Sequence, residues 1–578
     1  MENQKKENLL NMALETPISE REKSQNLNVG YNSSDDTWEL IVKYNGDIET
    51  AISNLEGLES TLVSITILTG GYAIIIAPQN MINDISTLEE VEYIEKPKRL
   101  YFGINRVREI SCVDNVQVPP MNLNGVGTCF LLIDSGIDYL HPDFCKDDNT
   151  SRILFIWDQT LNGQPPQGYS IGTEFNNAQI NEAIRSGIEL GTVDNSGHGT
   201  AVAGVAVSNG RSSGGRYRGI APEASIIAVK LGNPISNSFP RTTQLMLAVD
   251  YAIKKSLELN LPMVINLSFG NSYGSHDGTS LLETFLDNAA AAFRGVICAG
   301  VGNEGAVAGH YYGQIKEDEI NIAEIVVGRY ETTLNVQIWK NYVDELQFSL
   351  INPSGDRIEF FQNNTTQRFQ MGSTEILVYF GEPRPYSVSQ EIYIDFIPAG
   401  DYIQDGIWII EIKGIDITIG NYNIWLPSSE GIGTNTAFLR PMSDNTITIP
   451  ATANKVISVA AYNQFTDSYA DFSGRGEMSE SGINIKPDIA APGVDIMSTR
   501  VGGGYASYTG TSFATPVVSG CACLLLQYGI IDNNDKFLYG EKIKAYLRKG
   551  ARKLPGFNVW PNNFLGYGAV CLRSSLED

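Results

Sequence analysis

Four residues in separate stretches have side chains that suit nucleophilic catalysis. Asp134 follows the apolar run "CFLLI", His198 stands in "NSGHGT", Ser512 stands in "GTSFATP" and Asn303 stands in "AGVGNEG". A serine hydroxyl becomes a good nucleophile when an imidazole takes its proton, and a carboxylate fixes the tautomer and charge of that imidazole. An asparagine amide and a main-chain N–H at a helix start can hold a developing oxyanion. The four residues therefore predict acyl-transfer chemistry.

Each of these residues also has a purely structural interpretation. Aspartates and serines such as Asp134 and Ser512 commonly cap helices, and asparagines such as Asn303 commonly form turns. His198 could be a core histidine. These interpretations would all have to hold at once, whereas one catalytic site explains the four residues together. The glycines on both sides of His198 favour the site, because they let backbone and substrate approach the imidazole closely.

Short apolar strands alternate with helical segments around these residues. Strands that are apolar on both faces are typical of a parallel sheet covered by helices on both sides. Functional groups in such sheets gather at the carboxyl ends of the strands, which is where Asp134 and Asn303 stand. The sequence therefore predicts an α/β fold with a helix over 242–257. The predicted strands are 129–133, 225–229, 263–267, 296–299 and 456–460.

Residues 305–445 follow a different period. Apolar residues alternate with polar ones, as at Leu334, Val336 and Ile338, and turn residues separate the runs. This pattern predicts a β-sandwich or jelly roll. It interrupts the α/β domain, which is predicted to comprise 103–304 and 446–578. Candidates for stacking on a sugar ring are Trp339, Trp408 and Trp425, although alternating aromatic residues are more often core residues.

The first hundred residues form a separate region. Residues 1–34 are polar and lack periodicity, which predicts a flexible tail. Residues 35–100 read as strand, helix, two strands, helix and strand, with a turn at Gly70 and Gly71. This βαββαβ order is typical of a ferredoxin-like α+β unit.

The composition argues against several functions. A net charge of −25 and a pI near 4.6 disfavour nucleic-acid binding. The N-terminal stretch carries Glu2 and Glu7 and does not resemble a secretory signal, and we find no run of eighteen apolar residues. We therefore expect synthesis in the cytoplasm and no membrane span. The seven cysteines are odd in number and lack CxxC spacing, which predicts free thiols.

The stretches "IDSGID", "HGTAVAGV", "AGVGNEG" and "GTSFATP" occur in an order that resembles the subtilisin-like serine proteases. The resemblance covers 103–304 and 446–578. It implies an endopeptidase with Asp134, His198 and Ser512 as the triad and Asn303 in the oxyanion hole, and it gives His141 a structural part. It also implies a substrate-binding edge and pocket at Ser268, Phe269, Gly270, Gly300, Val301 and Gly302.

More narrowly, the chain resembles the clostridial Csp-type germination proteases in its front unit and its inserted β module. This resemblance implies that 35–100 is a prodomain, a chaperone and inhibitor whose end lies in the substrate cleft and is cut within 95–106. It further implies a spore-associated protease whose substrate is the zymogen of a cortex-lytic enzyme. Some relatives of this type have lost catalytic residues, so the alternative is a non-hydrolytic pseudoprotease scaffold with its cleft blocked by the prodomain. We expect no required cofactor or metal, although the many aspartates permit structural calcium.

Overall fold

The computed structural model describes residues 5–21, 24, 26–55, 63–98, 106–232, 239–363, 365–477 and 485–577. The chain divides into two compact units, Met1–Ile104 and Asn105–Asp578. The division lies close to the predicted boundary between the ferredoxin-like region, 35–100, and the catalytic region that begins at 103.

The first unit is built on an antiparallel sheet with short helices. Its elements are α1 (Asn8–Glu15), α2 (Ile18–Arg21), β1 (Tyr31–Asn32), β2 (Thr37–Tyr44), α3 (Ile48–Ser53), β3 (Ser64–Leu68), β4 (Tyr72–Pro78), α4 (Ile82–Thr87) and β5 (Val91–Glu95). Strands β2 and β4 are central, β3 lies beyond β4, and β1 and β5 pair with β2. Alternate residues of β2 are buried, as expected for a sheet with one covered face. The ferredoxin-like prediction is confirmed.

The predicted flexible tail at 1–34 is wrong for the residues that the structure describes. Leu10 and Ala13 of α1 are fully buried in the core of the first unit. Arg21 is also buried, donates to the carbonyl of Ala13 at 3.2 Å and lies over the ring of Trp38. The amphipathic pattern of α1 spans only eight residues, and the partner of Arg21 comes from β2. Neither feature produces a recognisable period in the sequence.

The second unit begins with the α/β pattern that the sequence predicts. Its first elements are α5 (Val107–Ile110), β6 (Cys129–Asp134), β7 (Ile153–Asp158), β8 (Thr173–Asn176), α6 (Asn177–Ser186), α7 (His198–Val207), β9 (Ser225–Lys230), α8 (Thr242–Leu259), β10 (Met263–Leu267), α9 (Leu281–Ala290) and β11 (Gly295–Gly300). Strands β6, β9, β10 and β11 are buried along almost their whole length. Such burial explains why their sequences are apolar on both faces.

A β-sandwich follows β11. Its strands are β12 (His310–Gln314), β13 (Ile320–Val327), β14 (Leu334–Asn341), β15 (Glu345–Ile351), β16 (Arg357–Glu359), β17 (Gln367–Met371), β18 (Thr374–Phe380), β19 (Ser389–Pro398), β20 (Gly406–Asp416), β21 (Asn421–Trp425) and β22 (Ala437–Phe438). One antiparallel sheet has the order β12-β21-β14-β19-β18-β17, and the other has the order β16-β15-β20-β13-β22. Apolar residues from both sheets form one shared core, so the predicted all-β insertion is present.

The α/β pattern then resumes with β23 (Ile457–Asn463), β24 (Ser468–Tyr469), β25 (Ile489–Pro492), β26 (Ile496–Thr499), β27 (Tyr505–Tyr508), α10 (Thr511–Leu526), α11 (Glu541–Lys549) and α12 (Leu572–Leu576). The central sheet has the order β24-β23-β11-β10-β6-β9-β7-β8, with β25 beside β23. Its pairs from β7 through β23 are parallel, and β8 and β24 join antiparallel. Separate hydrophobic clusters cover the two faces.

One stretch within the described residues, Thr511–Ile531, is long and apolar enough to cross a membrane by length and composition alone. However, 83% of its most apolar window is buried inside the protein. It packs against α7 and against strands β10, β11 and β23. The stretch is therefore the core helix of the α/β sheet, and core helices satisfy the same length and composition criteria.

The prediction that all cysteines are free is wrong for two of the seven. Cys112 and Cys571 form a disulfide with their Cα atoms 4.9 Å apart. Their sequence separation of 459 residues left no spacing motif from which to predict the pair. The remaining five are free, as predicted, and they are buried: Cys129, Cys145, Cys298, Cys521 and Cys523.

Candidate active site

Asp134 and His198 form a hydrogen-bonded pair at the carboxyl end of the central sheet. Asp134 is the last residue of β6, where it is almost fully buried. Its Oδ1 accepts hydrogen bonds from the main-chain N–H of Ser135 and from Nδ1 of His198, both at 2.7 Å. A carboxylate that accepts from Nδ1 fixes the tautomer of the imidazole.

His198 is the first residue of α7, and the backbone around it depends on glycine. Gly197 caps the helix with φ 75°, a conformation that L side chains rarely adopt. A Cβ at Gly199 would lie 2.1 Å from the carbonyl oxygen of Gly136. The absence of a side chain at Gly199 thus allows the start of α7 to pack directly against the loop that follows Asp134.

Asp194 is a residue of this site that the sequence analysis missed. Its Oδ1 accepts from Ser135 Oγ at 2.8 Å and from the main-chain N–H of Gly197 at 3.0 Å. Its Oδ2 accepts from the main-chain N–H and the hydroxyl of Thr200, at 2.8 and 2.7 Å. Asp194 therefore ties the loop after Asp134 to the first turn of α7. Its position four residues before His198, at a helix start, was the available signal.

The pKa of His198 is raised above its ordinary value. Burial lowers it, but the neighbouring charge of Asp134 and the hydrogen bond to it raise it, and the charges of Asp194 and Glu430 add to this increase. About one third of the His198 side chain remains exposed. The imidazole is therefore partly exposed and lies among the negative charges of Asp134, Asp194 and Glu430.

Ser512 is the second residue of α10, and its hydroxyl is hydrogen-bonded to the main chain of another predicted site residue. Ser512 Oγ donates to the carbonyl of Ser268 at 3.0 Å. Within the described residues, no hydrogen bond joins Ser512 to His198. The segments that carry the two residues are in contact, because the ring of Phe513, which follows Ser512, lies 5.6 Å from the ring of His198 and α7 packs on α10. Hydrogen bonds at catalytic sites are often formed only when substrate is bound.

Asn303 lies just beyond β11, next to the start of α10. Its Oδ1 accepts from the main-chain N–H and from the hydroxyl of Thr511, each at 3.1 Å. These two bonds fix the orientation of the side-chain amide. Nδ2 is then the atom that can donate to an oxygen in the cleft, next to the main-chain N–H of Ser512.

The two predicted substrate-binding segments are neighbours. The first segment, Ser268, Phe269 and Gly270, follows β10. The second begins with Gly300, the last residue of β11, and continues with Val301 and Gly302. Strands β10 and β11 pair in parallel, so the two segments leave the sheet side by side. A Cβ at Gly270 would lie 2.4 Å from Thr448 Oγ1, and a Cβ at Gly302 would lie 2.5 Å from the same atom. Both segments therefore pack closely on Thr448. Their contact with a peptide stays a prediction.

The β-sandwich contributes acidic surroundings to this cleft. Glu304, directly after Asn303, accepts from Ser429 through the main-chain N–H at 3.1 Å and the hydroxyl at 2.9 Å. Burial raises the pKa of Glu304, and the charge of the exposed Glu430 raises it further. Residues 428–430 follow β21, the last strand of the larger sandwich sheet, and the charge of Glu430 contributes to the raised pKa of His198.

The other histidines lie outside the Asp134–His198 pair. His141 is buried, with Nδ1 accepting from the N–H of Asp143 and Nε2 3.2 Å from the carbonyl of Gly504. His276 and His310 each stack on the ring of Trp425, at centroid distances of 4.3 and 4.9 Å. All three histidines thus have structural contacts.

The sugar-stacking hypothesis is wrong for the three tryptophans that were its candidates. Trp339, Trp408 and Trp425 are 4%, 0% and 2% exposed, so no ring face is open to a ligand. Each faces the interior, which is the alternative that alternating aromatic residues favour.

Among the residues that the structure describes, no cluster of three or more His, Cys, Asp or Glu side chains is arranged to hold a metal ion. That the protein requires no metal stays a prediction.

A subtilisin-like serine protease combines a hydrogen-bonded Asp–His pair, a serine at a helix start and an asparagine amide around one parallel sheet. Residues 126–376 and 417–568 match the model of the Subtilase family, and residues 4–98 match the model of the Csp protease B prodomain. The chain belongs to the Subtilase family. The prodomain match includes α1 and α2, in agreement with the structure of the first unit.

Individual relatives agree with this assignment. The solved structure of the Clostridium perfringens CspB protease is 35% identical, has a TM-score of 0.75 and covers 82% of this chain and 97% of its own. The PII-type proteinase of Lactococcus lactis subsp. cremoris is 26% identical over 85% of this chain, and the minor extracellular protease Vpr of Bacillus subtilis is 23% identical over 79%. The chain spans only 28% and 52% of the lengths of these two proteins.

Proposed function

We propose that this protein is a serine endopeptidase in which Ser512 is the nucleophile, His198 the general base, Asp134 the orienting carboxylate and Asn303 an oxyanion donor. The observation that carries the proposal is the 2.7 Å hydrogen bond between Asp134 and His198. Phe513 at the start of α10 contacts His198 of this pair, and the amide of Asn303 is fixed against Thr511 of the same helix.

The reaction follows from the chemistry of these groups. Ser512 Oγ turns from the carbonyl of Ser268 toward Nε2 of His198, gives up its proton there and attacks the peptide carbonyl. The Ser512 N–H and Asn303 Nδ2 stabilise the oxyanion. His198 then protonates the leaving amine, and the acyl-enzyme is hydrolysed by a water that His198 activates. Asp134 remains ionised throughout and stabilises the imidazolium.

A peptidase assay with a fluorescently labelled unfolded protein tests this proposal. We expect the wild type to release peptides and Ser512→Ala to release none, because the nucleophile is missing. Ser507→Ala, which removes an exposed hydroxyl from the preceding strand β27, serves as the matched control and should retain activity. A folded wild type with no activity on any such substrate would favour the pseudoprotease scaffold.

We further propose that the protein cleaves its own prodomain. The cleavage is placed within 95–106, most of which lies outside the described residues. The family match at 4–98 ends inside this range, which supports a boundary there. Purified wild type should yield two fragments and Ser512→Ala one intact chain. Intact, unprocessed chains from both would disprove self-cleavage, and N-terminal sequencing of the mature fragment would identify the cut.

The proposed substrate is the zymogen of a cortex-lytic enzyme in a spore-associated setting. The likeness to the Csp protease B prodomain and to the CspB protease of Clostridium perfringens supports this choice. The test is to incubate the purified zymogen with wild type and with Ser512→Ala. We expect a single cut and gain of cortex hydrolysis with the wild type alone. An uncut zymogen in the presence of a wild type active on other proteins would reject this substrate.

A further inference from the structure

Helix α10 is attached to strand β10 and the residues after it at two places. Near the helix start, Ser512 Oγ donates to the carbonyl of Ser268 at 3.0 Å, and Ser268 Oγ donates to the carbonyl of Ser512 at 2.9 Å. Seven residues later, Ser519 Oγ donates to Oδ1 of Asn266 at 2.8 Å. Residues seven apart share one face of a helix, so both attachments face the same strand.

A buried amide connects the two attachments. Nδ2 of Asn266 donates to Ser268 Oγ at 2.8 Å. Asn266 and Ser519 are fully buried, and Ser268 is 3% exposed. Because Asn266 uses its oxygen for Ser519 and its nitrogen for Ser268, the orientation of its amide is fixed. The hydrogen bonds thus run from Ser519 through Asn266 and Ser268 to the backbone of Ser512.

Pro516 explains why the carbonyl of Ser512 is free to take part. In an α-helix this carbonyl would accept from the N–H four residues later, but that residue is Pro516, which has no N–H. Pro516 is the sixth residue of α10. Ser268 Oγ supplies the missing donor. It thereby links the start of α10, at Ser512, to the residue that follows β10.

We propose that Ser519 is a positioning residue for Ser512, acting through Asn266 and Ser268. The inference rests on the proposed nucleophilic role of Ser512. Loss of the Ser519 hydroxyl leaves Oδ1 of Asn266 buried without its donor and lets the amide rotate. Ser268 Oγ then loses the bond that holds it toward the carbonyl of Ser512, and the helix start gains freedom relative to β10. A shift of about 1 Å at a reacting atom can cost about 100-fold in rate.

The experiment compares Ser519→Ala with the wild type in the full chain, using the rate of fluorophosphonate labelling and the kcat and KM for a peptide substrate. We expect labelling and kcat to fall about tenfold or more with KM changed less than about twofold, because the defect lies in the geometry of the nucleophile. Ser519→Thr retains the hydroxyl and should restore most of the rate.

Thr128→Val is the matched control. Its hydroxyl is fully buried and donates to the carbonyl of Gly125 at 2.7 Å, just before the opposite end of β6 from Asp134. It should lower the melting temperature without slowing labelling. If labelling is slowed equally in Thr128→Val and Ser519→Ala, general destabilisation explains the slowing and the inference is overturned.

A double-mutant cycle tests whether Ser519 acts on Ser512 through Ser268. If Ser519 acts through Ser268, then Ser519→Ala should cause no further slowing in a Ser268→Ala background. Additive slowing would overturn the inference, and so would normal labelling of Ser519→Ala. A folded wild type that does not label would overturn the nucleophilic role of Ser512 itself, so failure of the inference and failure of the proposed function give different results.

Discussion

Oδ1 of Asp134 accepts a hydrogen bond from Nδ1 of His198 at 2.7 Å. An ionised carboxylate can only accept, so Nδ1 carries the proton in this pair. The neutral imidazole therefore keeps its lone pair on Nε2, the nitrogen that a general base at this site must use. His198 therefore has the tautomer that its proposed role as general base requires.

Replacing Asp134 by asparagine should remove the interaction that keeps the proton of His198 on Nδ1. An amide that donates to Nδ1 stabilises the wrong tautomer, so we expect kcat to fall on the order of 10⁴-fold at neutral pH. Asp138→Asn is the matched control, because Asp138 lies in the same loop and accepts from the N–H groups of Leu140 and Gly502. Steady-state kinetics of both variants check the prediction. Similar losses in the two variants would contradict a specific role for Asp134.

The pH dependence of activity should reflect the negative charges around His198. The base must be neutral, so activity is lost as pH falls through the pKa of His198. Because that pKa is raised, the acidic limb of kcat/KM should have its midpoint above about 6.5. Glu430→Gln removes one of the responsible charges and should move the midpoint downward.

High salt provides the control for the shift in midpoint that Glu430→Gln should cause. Glu430 is exposed, and the screening length falls to about 3 Å at 1 M salt, so the difference between wild type and Glu430→Gln should disappear there. This difference in midpoint is measured from the pH profiles of kcat/KM for both proteins at low and high salt. A midpoint below 6.5 in the wild type at low salt would contradict the environment described for His198.

Removing the Asn303 amide should affect the transition state rather than substrate binding. We expect Asn303→Ala to lower kcat by about 10²- to 10³-fold with little change in KM, because the oxyanion loses one donor. Asn303→Asp is the comparison variant, since it keeps the acceptor for Thr511 but replaces the donor with an oxygen. An unchanged kcat in Asn303→Ala would place the oxyanion elsewhere.

The disulfide between Cys112 and Cys571 should stabilise the second unit. It joins residues near the two ends of this unit, and loss of such a link typically costs about 2–4 kcal/mol in the free energy of unfolding. Reductant should lower the melting temperature of the wild type and leave Cys571→Ala unaffected. Titration of the denatured protein should find five thiols before reduction and seven after it. Seven thiols without reductant would disprove the bond.

The central sheet was predictable because its strands are buried on both faces. Strand β10 (Met263–Leu267) has the bounds expected from its sequence, and β6 extends one residue further, to Asp134. The insertion was predictable because the period of apolar residues changes to two after β11. These patterns are local, and each is repeated over several strands.

The features that were missed depend on contacts between distant segments. Cys112 and Cys571 are 459 residues apart, and the burial of Arg21 depends on Trp38 in another element. The bond from Ser512 Oγ to the carbonyl of Ser268 depends on the rotation of one hydroxyl group, which no sequence pattern encodes. The residue types at the site could thus be predicted, whereas the hydrogen bonds among them could not.

The most direct test of the account is the site at which a fluorophosphonate attaches. The wild type, Ser512→Ala and His198→Ala would be incubated with the probe and analysed by intact mass and peptide mapping. We expect one adduct on Ser512 in the wild type, none in Ser512→Ala and greatly slowed labelling in His198→Ala. An adduct on another residue, or equal labelling of wild type and His198→Ala, would contradict the proposed roles of Ser512 and His198.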